Sequence, residues 1–267
     1  MIRVILQVFK NYLFQKSISP KDWARYFFTS KGQLIQIRIN GIPVWIRKGS
    51  PDLYVALGCL YGEFEILRRA CPADYDGVIV DAGGYTGLSA LALRKLFPEA
   101  QIIVIEPALE NLDLLKKNLS TMKNLRIVHG ALVGRDKGPV QLKNRGTGEW
   151  GFTAVERPLD NADAPTMHSV PAVTLGSLGL EPSEIGILKL DIEGGEFDLF
   201  SHDRESLNQV GVVYAELHDR IITGCSDLFF EYSKERTLIK CAGEKFLSVR
   251  EGEAVRWIAQ SVPADDC

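Results

Sequence analysis

Residues Val78–Leu93, VIVDAGGYTGLSALAL, decide the fold. Val78, Ile79 and Val80 form a short apolar run that predicts a buried strand, and Asp81 sits at its end. Gly83, Gly84 and Gly87 make a turn, and Leu88, Leu91 and Ala92 then recur at helical spacing. A strand that feeds a helix through glycines places free helix N–H groups at the carboxyl edge of a parallel sheet. Open α/β folds bind nucleotide-like ligands there. Ala82-Gly83-Gly84-Tyr85-Thr86-Gly87 fits the dinucleotide fingerprint only with Ala for its first glycine. Asp81 narrows the choice, because a carboxylate beside the turn repels a pyrophosphate and attracts a ligand carrying an ammonium and a sulfonium. The stretch therefore favours S-adenosylmethionine over NAD.

Further along the chain, acids recur at strand tips. Ile102–Ile105 is an apolar strand ending in Glu106, 22 residues after Gly84, where a carboxylate can take both ribose hydroxyls. Leu125–Val128 is a third strand, with His129 and Gly130 at its tip near the expected adenine edge; His129 reads as a wall residue. Ile185–Phe200, IGILKLDIEGGEFDLF, repeats the strand–turn–helix pattern and ends its strand in Asp191, followed by Glu193. The strand Val212–Ala215 then delivers Glu216 and His218 to the same edge. Segments 236–241 and 246–249 read as a closing antiparallel hairpin across Gly243. Together these define a doubly wound, mostly parallel α/β sheet.

The N-terminal part is different. Residues 2–16 carry apolar side chains at helical spacing and predict an amphipathic helix, and Pro20 opens a second helix through Phe28. Asn40-Gly41 separates two strand-like runs in a hairpin whose second strand Pro43 confines to an edge or a bulge. Helices are expected from Asp52 to Leu57 and from Tyr61 to Ala70. The expected division is a basic helical arm at 1–33, a hairpin and helices at 34–77, and a Rossmann-like core at 78–267. Residues 134–170 are rich in Gly, Asn, Asp and Pro around Trp150, with a strand expected at Val140–Leu142, and the segment suits either a lid or a plain surface loop.

Apolar residues make up 46% of the 267, enough for a sizeable core. The net charge of −3 hides a segregation: residues 1–48 hold nine Lys/Arg and one acid, while the remainder carries 22 bases and 33 acids. Such an arm docks on its own acidic body, on a second copy, or on an anionic membrane surface. Five scattered cysteines without a C-x-x-C pair read as thiols in a reducing compartment. No apolar run reaches the ~20 residues of a membrane span. No secretory signal is expected, so the location expected is cytoplasmic, with membrane contact at most peripheral.

The chain resembles the FkbM-type S-adenosylmethionine-dependent methyltransferases. The resemblance rests on Asp81–Gly87, Glu106-Pro107, Lys116–Leu119, Leu188–Glu196 and Glu216–His218, with Asp52 through Phe64 as a lead-in. It covers about residues 34–220. It implies a seven-stranded, Rossmann-like class I methyltransferase fold and methyl transfer to a hydroxyl of a sugar, glycan or secondary metabolite.

On this reading Asp81 holds the methionine ammonium, directly or through water, and Glu106 holds the ribose. Gly83, Gly84, Tyr85, Thr86 and Gly87 form the cofactor turn, His129 and Gly130 border the adenine, and Asp191 faces the cofactor. His218 is the expected general base, with Asp191 and Glu193 serving directly or orienting it. Trp150 and Glu216 are expected on the acceptor. No metal is assigned, since carboxylates at strand tips are not by themselves a metal signature. No nucleic-acid partner is expected, because no N/D-P-P-Y/F stretch and no zinc or RNA-binding module occurs. The rival readings are an NAD(P)-dependent oxidoreductase and a non-catalytic cofactor binder that docks through residues 1–33.

Overall fold

The computed structural model describes residues 17–252. The amphipathic helix expected over 2–16 lies outside them, so the basic arm is seen only from Ser17 onward. Strand β1 (Leu34–Ile39) and β2 (Ile42–Arg47) form the expected hairpin, and β3 (Val78–Ala82), β4 (Gln101–Glu106) and β5 (Leu125–His129) follow. Short strands β6 (Ala131–Leu132), β7 (Val140–Asn144), β8 (Phe152–Thr153), β9 (Thr166–Val170) and β10 (Ala172–Val173) precede β11 (Ile185–Leu190), β12 (Val212–Glu216), β13 (Arg236–Lys240) and β14 (Lys245–Arg250). The helices are α1 (Pro20–Phe28), α2 (Asp52–Gly58), α3 (Leu88–Leu96), α4 (Leu109–Asn118), α5 (Glu196–His202), α6 (Arg204–Gln209) and α7 (Cys225–Tyr232).

The main sheet has seven strands in the order β13-β14-β12-β11-β3-β4-β5. Its five strands from β12 to β5 are parallel, and β14 and β13 close one edge antiparallel. The strand that opens the decisive stretch, β3, is the middle one of these five parallel strands. Successive side chains on a strand point to opposite faces, and here both faces are buried. Ile79, Ile102, Val104, Ile187 and Val212 join the hairpin, α2 and α3 in one core. Val80, Ile103, Leu188 and Val213 join Leu199, Phe200 and Phe229 in the other.

Helix α1 is capped by Ser19, whose hydroxyl accepts from Asp22 N at 3.1 Å. The β1–β2 hairpin is a two-stranded sheet, which leaves each strand an outward edge where Pro43 is tolerated. It is tied to α4 by Asn118, which accepts from Trp45 N at 2.7 Å and donates to Trp45 O at 3.1 Å. The single helix expected over 61–70 is broken: Cys59–Glu63 is a π turn, Gly62 has φ 118°, and Glu65–Arg69 is a 3-10 turn. Within residues 134–170 the strand expected at Val140–Leu142 is present in β7, and it pairs with β8 and β9 in a small antiparallel sheet in place of a plain loop. Among the described residues no helix is long and apolar enough to cross a membrane.

Candidate active site at the carboxyl edge of the sheet

A cavity of about 1090 Å³ opens at the carboxyl ends of β3, β4, β11 and β12. It is lined by Gly83, Gly84, Tyr85, Glu106, Asn111 and Gly130, and by a charged group of Asp191, Glu193, Glu216, Arg220 and Lys245. Trp150, expected on the acceptor, borders it as well, 40% exposed and edge-to-face with Tyr54 at 5.9 Å.

The turn after β3 needs its glycines for close approach. A Cβ on Gly83, which has φ +78°, would lie 1.8 Å from Asp191 O, and one on Gly84 would lie 2.1 Å from Val104 Cγ1. Both N–H groups donate to Ile105 O at 3.0 Å, so neither is free to cradle a pyrophosphate. That favours a ligand that does not demand those donors. Tyr85 also has a positive φ, 48°, and its N–H donates to Glu106 Oε2 at 2.7 Å while its hydroxyl donates to Asp52. Thr86 and Gly87 shape the turn without lining the cavity: the Thr86 carbonyl accepts from Asn118, and Gly87 packs at Leu119.

Glu106 reaches the cavity wall as expected from its strand tip. Its Oε1 accepts from Ala108 N at 2.9 Å and Asn111 Nδ2 at 3.2 Å, which occupies both lone pairs. Oε2 holds only the Tyr85 N–H, which leaves one of its lone pairs unused. Burial pushes this carboxyl up to about 7, against the pull of those three donors. His129, expected beside the adenine, is not on the cavity wall; its Nε2–H donates to Pro107 O at 3.1 Å, while Gly130 borders the cavity.

Two expected roles require correction. Asp81 is fully buried beneath the cavity and is not on its wall. Its Oδ2 accepts from Ser89 at 2.5 Å, and its Oδ1 lies 3.2 Å from Lys189 Nζ. A charge already paired in this way does not present itself to a ligand ammonium. Lys189 also donates to Gly83 O at 2.8 Å, and Asp81 and Asp191 hold its proton on against the effect of burial. His218 is also fully buried and absent from the wall. Its Nδ1–H donates to Glu196 Oε1 at 3.1 Å, and its Nε2 faces Asp191 Oδ1 at 3.7 Å and Glu193 Oε2 at 3.9 Å. Burial alone would strip its proton, but Glu196, Glu193 and Asp191 override that and raise it to about 10. An imidazolium behind two carboxylates cannot act as the general base on a substrate in the cavity.

Asp191 and Glu193 themselves do line it. Burial opposes charge on Asp191, yet Lys189, His218, Lys245 and Arg220 together hold it below the usual carboxylate range. Burial lifts Glu193 to about 7, with His218 and Arg145 pulling the other way. Glu193 sits at φ 51°, its carboxylate paired with buried Arg145, which also pairs with Asp160. Glu196 never meets the cavity. Its two oxygens accept from Ile192 N at 2.8 Å and Gly194 N at 2.9 Å, stitching the turn after β11.

Lys189, Arg145 and Lys245 were missed as site residues. Lys245 bridges Glu63 at 2.6 Å and Glu216 at 3.4 Å, and all three line the cavity. Lys189 had a signal: a lysine inside the apolar run Ile187–Leu190 of a buried strand demands a partner.

A seven-stranded Rossmann-like sheet with acid-tipped strands around one cavity at its carboxyl edge defines an α/β protein that binds a nucleotide-type cofactor. Within that class the chain belongs to the FkbM methyltransferases: the model of the methyltransferase FkbM domain matches residues 81–233. It is a methyltransferase, and S-adenosylmethionine is its cofactor. Comparison with curated proteins gives no match. Among solved structures, an S-adenosylmethionine-dependent methyltransferase from Agrobacterium tumefaciens aligns with a TM-score of 0.44 at 12% identity, covering 83% of this chain and 71% of that one. A methyltransferase from Geobacter sulfurreducens gives 0.42 at 12%, covering 72% and 79%. A precorrin-6y C5,15-methyltransferase from Geobacter metallireducens GS-15 gives 0.39 at 11%, covering 66% and 81%.

Proposed function

We infer that the chain transfers the methyl group of S-adenosylmethionine to a hydroxyl of a small-molecule or glycan acceptor. The observation that carries this reading is that one cavity joins the Gly83–Glu106 wall to the charged wall of Asp191, Glu193 and Glu216. The nucleoside lies along the first wall, its ribose on Glu106, and the sulfonium points toward the second. The surrounding carboxylates attract the sulfonium before transfer and lose that attraction when it becomes a neutral thioether, which assists product release.

The reaction is an in-line displacement. The acceptor oxygen forms its bond to the methyl carbon as the carbon–sulfur bond breaks, and sulfur keeps the bonding pair. Most of the acceleration comes from holding that oxygen in near-attack contact. The hydroxyl proton passes to a group on the wall, a role for Asp191, Glu193 or Glu216 in place of His218. Polar side chains beside Trp150 and Tyr214 suit an acceptor with several hydroxyls and an apolar ring face. Residues 1–33 remain a proposed contact with a membrane surface or a second copy.

The test is to incubate the full chain with methyl-labelled S-adenosylmethionine and a panel of sugars, glycans and hydroxylated metabolites. Label in an alkali-stable ether supports the reading. Label confined to amines, or alkali-labile label in carboxyl esters, contradicts it.

A further inference from the structure

We propose that Asp191, Glu193 and His218 form a binding site for one divalent transition-metal ion on the acceptor side of the cavity. Three observations meet here. The ligand-capable atoms of these residues lie within 4.8 Å of one another. Nε2 of the fully buried His218 has no hydrogen-bond partner, although the ring is aimed between the two carboxylates. Glu196, itself pinned by two backbone N–H groups, takes the other ring nitrogen. A carboxylate on the far nitrogen is the device that fixes the tautomer and aim of a metal-bound imidazole.

The spacing suits an ion, which takes the place of the Nε2 proton that the two carboxylates otherwise hold there and releases it to solvent. Donors about 2.1 Å from one metal stand roughly 3.0–3.4 Å apart at tetrahedral or octahedral angles. The separations of 3.7 and 3.9 Å from Nε2 to the two carboxylates are slightly wider than that, and small rotations of Asp191 and Glu193 close them. Those two residues border the cavity and His218 does not, so the remaining coordination positions face the acceptor.

Charge agrees. The ion pairs around the site link eight carboxylates, Asp81, Asp160, Asp191, Glu193, Glu196, Glu244, Glu63 and Glu216, with five cationic partners, Lys189, Arg145, Arg220, Lys245 and His218. The excess of carboxylates favours an added cation. One imidazole and two carboxylates suit Mn²⁺, Co²⁺ or Zn²⁺ better than Mg²⁺, which prefers oxygen alone. Resting on the methyl-transfer reading, the ion's task is to bind the acceptor hydroxyl and make it more acidic, so that a weak wall carboxylate suffices to take its proton.

The test uses the full chain, stripped with EDTA and titrated with Mn²⁺ alone, with free ion followed by electron paramagnetic resonance. Calorimetry with S-adenosylhomocysteine on the same preparation reports the cofactor site separately. Saturable binding of one Mn²⁺ per chain, tighter than Mg²⁺, is expected, weakened about tenfold or more by His218→Ala and 10- to 100-fold by Glu196→Gln. Pulsed measurements on the wild-type complex are expected to show ¹⁴N coupling from a bound imidazole, which needs no variant to fold. S-adenosylhomocysteine binding without saturable Mn²⁺ binding overturns the metal site and leaves the methyl-transfer reading standing. Mn²⁺ binding that lacks ¹⁴N coupling, or that a folded His218→Ala retains at full strength, overturns it equally.

Discussion

Lys189 Nζ stands 3.2 Å from Asp81 Oδ1 because β11 pairs with β3 in a register that sets these two residues side by side. Both share a face with Ile79 and Ile187 and are buried, with Asp81 beneath the cavity floor and Lys189 reaching its wall. Removing one partner of a buried pair leaves an uncompensated charge. Lys189→Met is expected to cost about 3–5 kcal/mol in urea unfolding. Asp81→Asn/Lys189→Met together should cost less than the sum of the singles. Additive losses would show that the two charges do not depend on each other.

Glu106 gives the fold a pH dependence with a definite sign. Its carboxyl rises to about 7 in the folded chain from an ordinary value of 4.5, so between those values the native state holds a proton that the unfolded state has lost. Its contribution is fully present below about 4.5 and falls as pH rises through 7, by at most about 3 kcal/mol. Glu106→Gln should flatten that part of the stability–pH curve. A ribose hydroxyl donating to the carboxylate favours the ionised form, so S-adenosylhomocysteine binding at pH 6 should release a proton, read by calorimetry in buffers of different ionisation enthalpy.

Gly83→Ala tests the close approach of β3 and β11. The added Cβ meets Asp191 O, a backbone atom that cannot rotate away, at a residue with positive φ. A loss of more than about 2 kcal/mol is expected, with weakened S-adenosylhomocysteine binding. Gly146→Ala serves as comparison, because it shares the positive φ but has open space around its Cβ.

Arg145 fastens the segment after β7 to the tip of β11 through Glu193, to Asp160, and to Gly151 O at 3.0 Å. Arg145→Ala should cost about 2–3 kcal/mol, less than a fully buried pair because Asp160 is partly exposed. Limited proteolysis should then cut faster within residues 144–165. An unchanged cleavage pattern would show that the small sheet holds this segment without Arg145.

Strand order and the tip acids were legible because each strand is a local apolar run and each acid follows it directly. Glu106, Asp191, Glu193 and Glu216 all reached the cavity wall for that reason. Pairings between distant residues were not legible. Asp81 reads as an open carboxylate until Lys189, far along the chain, is placed beside it. His218 reads as a base until Glu196 and two further acids enclose it. Of the small sheet, β7 was legible at Val140–Leu142, but its partners β8 and β9 were not, since a strand as short as the two residues of β8 leaves no period to detect; Gly62 ended a helix that its apolar spacing alone would continue.

Calorimetric titration of S-adenosylhomocysteine into the wild-type chain and Glu106→Gln bears most directly on the cofactor site. One molecule should bind per wild-type chain, and the variant should bind about 10- to 100-fold more weakly, the worth of one hydrogen bond to a charged acceptor. Absence of saturable binding to the wild type, or equal affinity in a folded Glu106→Gln, would contradict the placement of the cofactor in this cavity.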